Sequence, residues 1–161
     1  MNAATTFLYF AYGSNLKRSK ILCTCSTAER QFPALLPNYH LTFPRESIRR
    51  SCGVASIEPS RSREVWGGVY TISESDQAGL EEREGFQPNR PLSANSYFWK
   101  KLTVFENGDL SRPREVMTFL ANRQPNPPLP SREYLGIIIA GAEEWNLDAQ
   151  YIAWLKEIRT S

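Results

Sequence analysis

Two short segments carry residue types whose spacing could do chemistry. In the first, Tyr9-Phe10-Ala11-Tyr12-Gly13-Ser14-Asn15-Leu16, a glycine turn joins a strand-forming run to a helix-compatible one. Such a corner aims several backbone N–H groups at one point, which suits a carboxylate or a phosphate. The same corner also serves as a plain structural turn of Gly, Ser and Asn. Neither GxGxxG nor P-loop spacing is present, which argues against a nucleotide. In the second segment, Leu80-Glu81-Glu82-Arg83-Glu84-Gly85, three carboxylates share one helical turn. Their repulsion and the negative end of a helix dipole both raise the pKa of Glu84, as a general base working near neutral pH requires. The alternative is a solvated helix end in which Arg83 relieves the repulsion.

The remaining reactive residue types point to less. His40 is the single histidine, so any Ser-His-Asp or Cys-His machine would have to use it, and no nucleophile elbow accompanies it. Cys23-Thr24-Cys25 has no second cysteine pair to complete a tetrahedral metal site and reads as free thiols. Arg45, Arg49, Arg50, Arg61 and Arg63 make the middle of the chain locally basic, the pattern of a solvated loop face.

The elements that position the two segments follow from local pattern. Residues 7–12 are rich in β-formers and stop at Gly13-Ser14-Asn15, and residues 16–21 are helix-compatible. Further strands are predicted at 39–43, 53–57 and 64–72, the last with Gly67-Gly68 in its middle, a mark of a bulge or close backbone approach. Ser75 is the predicted N-cap of a helix with Asp76 in its first turn, running to about Glu84 and stopped by Gly85. Residues 86–93 read as a polar loop, 97–105 and 115–121 as a hairpin through Asn107-Gly108, and the proline-rich 124–130 as a surface crossing. Ser131 caps a helix whose apolar stripe is Leu135, Ile138, Ile139 and Ala142, and Leu147-Asp148 opens a last helix through Ile158. With no internal repeat or linker, residues 1–161 read as one α+β domain.

Composition narrows the function classes. A length of 161 residues with 41% hydrophobic and 22% charged suits a globular domain, and a formal charge of +2 gives no field that argues for nucleic acid. No apolar run approaches the roughly 20 residues of a membrane span. Met1-Asn2-Ala3-Ala4-Thr5-Thr6 lacks the basic region of a secretion leader, and three cysteines cannot all pair, so a reduced, cytoplasmic protein is expected. Trp145 and Trp154 read as either core or interface, leaving monomer and homodimer open.

Taken in order, these residues resemble the γ-glutamylcyclotransferase family. The run from Phe7 to Leu16 resembles its N-terminal Tyr-Gly-Ser-Asn signature, and Glu64-Val65-Trp66-Gly67-Gly68-Val69-Tyr70 its central Val-Trp-Gly strand. Glu82-Arg83-Glu84-Gly85 resembles the segment with its catalytic glutamate, and Pro130-Ser131-Arg132-Glu133-Tyr134 its C-terminal region. The resemblance implies a mixed β-barrel with helices outside it, a cavity between them, and release of 5-oxoproline from a γ-glutamyl compound with no metal or organic cofactor. It implies Glu84 as the acid/base, Tyr12, Gly13, Ser14 and Asn15 as the substrate-holding loop with Tyr9, Phe10 and Ala11 leading into it, Tyr134 as a substrate-site tyrosine and Tyr97 as pocket wall. Intramolecular attack of an α-amine on its own γ-carbonyl needs mainly orientation and one carboxylate to move a proton, and it needs no covalent nucleophile.

Two departures from the family pattern concern substrate choice. Gln87-Pro88-Asn89-Arg90-Pro91-Leu92-Ser93 is longer than the corresponding loop of the animal enzymes, and Phe119 stands where a strand tyrosine is expected. A loop at that place would reshape the pocket for the leaving amine. The Gly-Ser-Asn after Tyr12 resembles the glutathione-specific branch less. The rival readings are a binding module that kept only the pocket, an amide or isopeptide hydrolase, and an RNA-associated protein using the arginines between 45 and 63, which the balanced overall charge disfavours.

Overall fold

Five strands close into a barrel in the computed structural model, which describes residues 5–161. The part of the Met1–Thr6 segment that precedes Thr5 lies outside the described residues. The strands are β1 (Thr6–Ala11), β2 (Glu29–Ser47), β3 (Cys52–Ser73), β4 (Tyr97–Glu106) and β5 (Pro113–Ala121), in the order β1-β3-β2-β4-β5. Every pairing is antiparallel except the closure, where Tyr9 of β1 meets Met117 of β5 in parallel. The expected mixed β-barrel with surrounding helices is therefore the fold.

The helices are α1 (Arg18–Ile21), α2 (Glu74–Arg83), α3 (Arg132–Glu144) and α4 (Ala149–Lys156). Phe10, Ile57, Val65, Val69, Tyr70, Ile72 and Val104 are fully buried, each worth about 1.5–3 kcal/mol for a side chain of this size. The stripe of α3 buries Leu135, Ile138 and Ala142 as expected, while Ile139 is only half-buried. No helix among the described residues is long and apolar enough to cross a membrane.

Several boundaries differ from the local reading. Residues 39–43 belong to the much longer β2, and 53–57 with 64–72 are one strand, β3. Prolines hid the continuity of β2: lacking an N–H, Pro37 and Pro44 interrupt a strand pattern, yet both fall at register shifts, Pro37/Tyr39 and Thr42/Arg45, where the ladder is already broken. Ser75 is not the N-cap. The helix starts at Glu74, directly off β3, with Ser73 at the cap position and the Glu74 N–H bonded to the Thr5 carbonyl at 2.9 Å. Asp76 in its first turn accepts the Thr27 N–H at 2.9 Å, tying α2 to the segment before β2.

The Gly13 turn is fixed from outside the barrel. Residues Ser14–Leu16 form one 3-10 turn, and the Leu16 carbonyl accepts both the Tyr70 hydroxyl at 3.0 Å and the Trp145 indole N–H at 2.8 Å. Two close approaches make this possible. A Cβ on Gly68 would lie 2.3 Å from the Trp145 ring, and one on Gly141 would lie 2.6 Å from the Leu16 Cβ. Trp145 is thus a core residue, 4% exposed, rather than interface. Trp154 stacks on Tyr151 at 5.7 Å between ring centroids and is half-buried.

Candidate active site

Glu84 is the C-cap of α2, and the glycine after it sets its direction. The Phe86 N–H reaches the Glu81 carbonyl at 2.9 Å and the Gly85 N–H the Glu82 carbonyl at 3.2 Å, while Gly85 sits at φ +68°. That is a Schellman closure with glycine in the left-handed position it requires. Glu81, one turn earlier, takes a different direction: its carboxylate accepts the Trp99 indole N–H at 2.8 Å and the Gln77 amide at 2.9 Å. Of the three carboxylates at this helix end, Glu81 is engaged, Glu82 is exposed on the outer wall of a cavity, and Glu84 alone reaches the inner wall of that cavity.

The cavity has an outer chamber of about 480 Å³ and an inner one of about 40 Å³, which share Ser14, Glu84, Tyr97 and Tyr134 on their walls. Tyr9, Tyr12, Gly13, Asn15, Ala55 and Phe119 complete the inner chamber. The Asn15 amide donates to the Tyr9 hydroxyl at 3.1 Å, and the Tyr12 hydroxyl donates to the Phe119 carbonyl. The N–H groups of Ser14 and Asn15 open the 3-10 turn, where no earlier carbonyl of the turn can accept them.

The two remaining tyrosines meet at Ala55. At the Thr42/Arg45 register shift, Val54 pairs with Arg45 and Ser56 with Thr42, so Ala55 has no β2 partner. Its carbonyl instead accepts the Tyr97 hydroxyl at 2.6 Å, and its N–H donates to the Tyr134 hydroxyl at 2.9 Å. Tyr97 has spent its proton on this bond, whereas Tyr134 has spent a lone pair and keeps its proton.

Burial sets the electrostatics. It raises the Glu84 carboxyl from 4.5 to about 7, while the charges of Arg83, Arg49 and Arg50 and the Asn15 side chain pull the other way. The upward direction matches the sequence reading. Its first cause, however, is removal from water, rather than repulsion among neighbouring glutamates. Burial also pushes the phenols of Tyr9, Tyr12, Tyr97 and Tyr134 above their ordinary value, with the Glu84 charge adding to each, so all four are neutral at pH 7.

Most of the residues singled out in the sequence come together here. Tyr9, Tyr12, Gly13, Ser14, Asn15, Glu84, Tyr97 and Tyr134 all line the cavity, whereas Phe10 and Ala11 line neither chamber. Phe10 is wholly buried beneath Gly67, where its ring comes within 2.5 Å of a Cβ position. The loop residues 87–93 also stay off the cavity wall, so this loop does not itself shape the pocket; Gly85 and Ser96 on either side of it do. Phe119 is in the inner wall, stacked on Trp99 at 3.8 Å between ring centroids.

The sequence reading missed the arginines of the outer chamber. Arg45 lies half-buried on β2, and Arg49, exposed, and Arg50, half-buried, lie in the turn joining β2 to β3; all three line the outer chamber, whereas Arg61 and Arg63 form an exposed face of β3 away from it. The Arg50 guanidinium sits 4.9 Å from the centroid of the Tyr134 ring. An Arg-Arg pair between two strand runs was the available signal, but only the hairpin register brings it over Glu84. Among the described residues, no three His, Cys, Asp or Glu side chains gather where a metal ion could be held.

Comparison with known proteins gives a consistent result. Residues 64–155 match the AIG2-like family. Over 157 residues the chain is 32% identical to gamma-glutamylcyclotransferase of Mus musculus and to that of Homo sapiens, covering 95% of this chain and 79% of each relative. A solved structure of a gamma-glutamyl cyclotransferase superposes with a TM-score of 0.86 at 29% identity, over 98% of this chain and 90% of the other.

Proposed function

Because the chain belongs to the AIG2-like, γ-glutamylcyclotransferase family of enzymes, we propose that it releases 5-oxoproline from γ-glutamyl amino acids, with Glu84 as the proton shuttle. The observation that carries this reading is the Glu84 carboxyl, raised to about 7 and lining a chamber walled by neutral tyrosine hydroxyls. A carboxyl poised there can accept and return a proton at physiological pH.

The reaction needs few parts. The α-nitrogen of the glutamyl group attacks its own γ-carbonyl carbon, forming the lactam C–N bond, and the amide C–N bond to the leaving amine breaks. Glu84 takes the proton lost by the attacking nitrogen and delivers it to the departing one. The walls fold the glutamyl chain into the reactive conformer, and in such intramolecular reactions orientation is worth up to about 7–11 kcal/mol. The free proton of Tyr134 and the open N–H groups of the Ser14–Leu16 turn are donors for the substrate α-carboxylate and the developing oxyanion.

The outer chamber supports an amino acid as leaving group. Arg45, Arg49, Arg50 and Arg83 stand on its wall against Glu46 and Glu82, and none of these six is in an ion pair among the described residues. Cationic, partly screened walls favour a carboxylate on the departing amine over a second ammonium. The test is mass-spectrometric detection of 5-oxoproline from γ-glutamyl dipeptides with wild type and Glu84→Gln. Product from wild type and about a hundredfold less or lower still from the variant is the expected result; free glutamate in place of 5-oxoproline would mean hydrolysis and overturn the reading.

A further inference from the structure

The loop that follows Glu84 lines neither chamber, yet it is bonded to the main chain at the helix end more tightly than a surface connection needs. The Gly85 carbonyl, the first acceptor after Glu84 in the chain, takes the Arg90 Nη2 at 2.9 Å and the Ser96 N–H at 3.4 Å. Arg90 Nε donates in turn to Asn95 Oδ1 at 2.5 Å, and the same oxygen accepts the Gln87 N–H at 2.9 Å. The Asn95 carbonyl accepts Asn122 Nδ2 at 2.7 Å, which joins the loop to the chain leaving β5. Asn95 is 1% exposed, and its Nδ2 has no partner among the described residues. A buried amide that leaves its own N–H₂ unpaired costs stability, so its value at this place lies in the oxygen, which gathers Arg90 and Gln87.

We propose that Arg90 and Asn95 are positioning residues for Glu84, holding the Gly85 carbonyl so that the C-cap side chain stays aimed into the cavity. The inference rests on Glu84 being the shuttle. Neither residue touches the cavity, so their effect passes through the main chain at Gly85. A shift of about 1 Å at a reacting group can cost about a hundredfold in rate, which is the scale on which such a clamp acts.

Asn95→Leu, Asn95→Asp and Arg90→Ala separate this role from plain loop stability. Leu keeps the bulk and removes the acceptor. Asp keeps the acceptor, discards the unpaired N–H₂ and meets Arg90 with a full charge. Both Asn95→Leu and Arg90→Ala are expected to lower kcat about tenfold or more with KM within about threefold, and Asn95→Asp to stay within about threefold of wild type. Arg90→Ala lies on the half-buried side of the loop and serves where Asn95→Leu fails to fold.

A ¹³C-carboxyl titration of Glu84, assigned by its loss in Glu84→Gln, is the second readout. Glu84 is faced by Tyr9 from β1 and Tyr12 just after it, Cys25 from the segment before β2, Tyr97 from β4, Tyr134 from α3, Arg49 and Arg50 from the β2–β3 turn, and Arg83 on its own helix. Asn95→Leu changes none of these charges, so a lower midpoint reports a carboxyl turned toward water. Wild-type kcat and midpoint in both Asn95→Leu and Arg90→Ala would overturn the inference. A rate loss matched by the unfolded fraction, with the midpoint unchanged, would overturn it as well. If wild type itself makes no 5-oxoproline, the cyclotransferase reading fails, and the titration alone decides whether the clamp holds Glu84.

Discussion

The Tyr134 hydroxyl accepts the Ala55 N–H at 2.9 Å, which leaves the phenolic proton of Tyr134 uncommitted in a cavity that also holds Glu84. Tyr134→Phe removes that free donor and strands the Ala55 N–H. The variant is expected to lose about 1–3 kcal/mol of stability through the unpaired N–H. Its kcat/KM should fall about a hundred- to a thousandfold, on the scale of losing one transition-state donor. Tyr97→Phe strands the Ala55 carbonyl but takes no free donor from the cavity, so its stability loss should exceed its catalytic loss. Thermal unfolding and steady-state kinetics on the two variants check the pair. Equal catalytic losses would remove the distinction between the two hydroxyls.

Glu84 must be ionised to take a proton, so kcat/KM is expected to fall on the acid side with a midpoint near the carboxyl value of about 7. Glu84→Gln should abolish this limb and lower turnover by about 10²–10⁴-fold, the usual contribution of general acid–base catalysis. Glu81→Gln, one turn away and bonded to Trp99, should stay within about threefold of wild type. A pH–rate profile on the three proteins reads all of this. A midpoint near 4.5 in wild type would mean a solvated carboxylate.

The same carboxyl makes stability depend on pH. Its folded value of about 7 lies above the ordinary 4.5, so between these values the native state holds more of the proton than the unfolded chain does. Stability therefore falls as pH rises from 4.5 to 7 and is level above that. Glu84→Gln has no such cost. Relative to wild type, the variant should gain up to about 3 kcal/mol between pH 4 and pH 8. Denaturant unfolding at the two pH values measures the difference, and a gain independent of pH would contradict the half-buried, raised carboxyl.

How much of this was legible in the sequence depends on range. The turn after Tyr12, the stop at Gly85 and the hairpin at Asn107-Gly108 are local, and each is where its residues demanded. Glu84 could be singled out, but for the wrong leading cause, because burial by Tyr9, Tyr97 and Tyr134 is assembled from three separate elements. The length of β2 was hidden by Pro37 and Pro44, whose acceptability depends on register shifts that no local pattern displays. One of those shifts frees Ala55, the residue on which both Tyr97 and Tyr134 are anchored. Arg49 and Arg50 reach the cavity only because two long strands carry their turn over it.

That turn leads to a prediction about the leaving group. Arg49 and Arg50 stand on the wall of the outer chamber, and a γ-glutamyl amino acid would place its second carboxylate beyond the scissile amide. γ-Glutamyl-alanine and γ-glutamyl-ethylamide differ only by that carboxylate and leave the same glutamyl group to cyclise. The dipeptide is expected to show about a tenfold or greater advantage in kcat/KM, carried mainly by KM, since the contact is the same before and in the transition state. Arg49→Ala/Arg50→Ala should erase the advantage by weakening the dipeptide. A charge-assisted contact at a half-exposed site is also screened, so the advantage should shrink as salt rises from low to physiological strength. Equal kcat/KM for the two substrates in wild type would assign the arginines to the electrostatics of Glu84 alone, where their loss would raise the acid-side midpoint rather than change the choice of substrate.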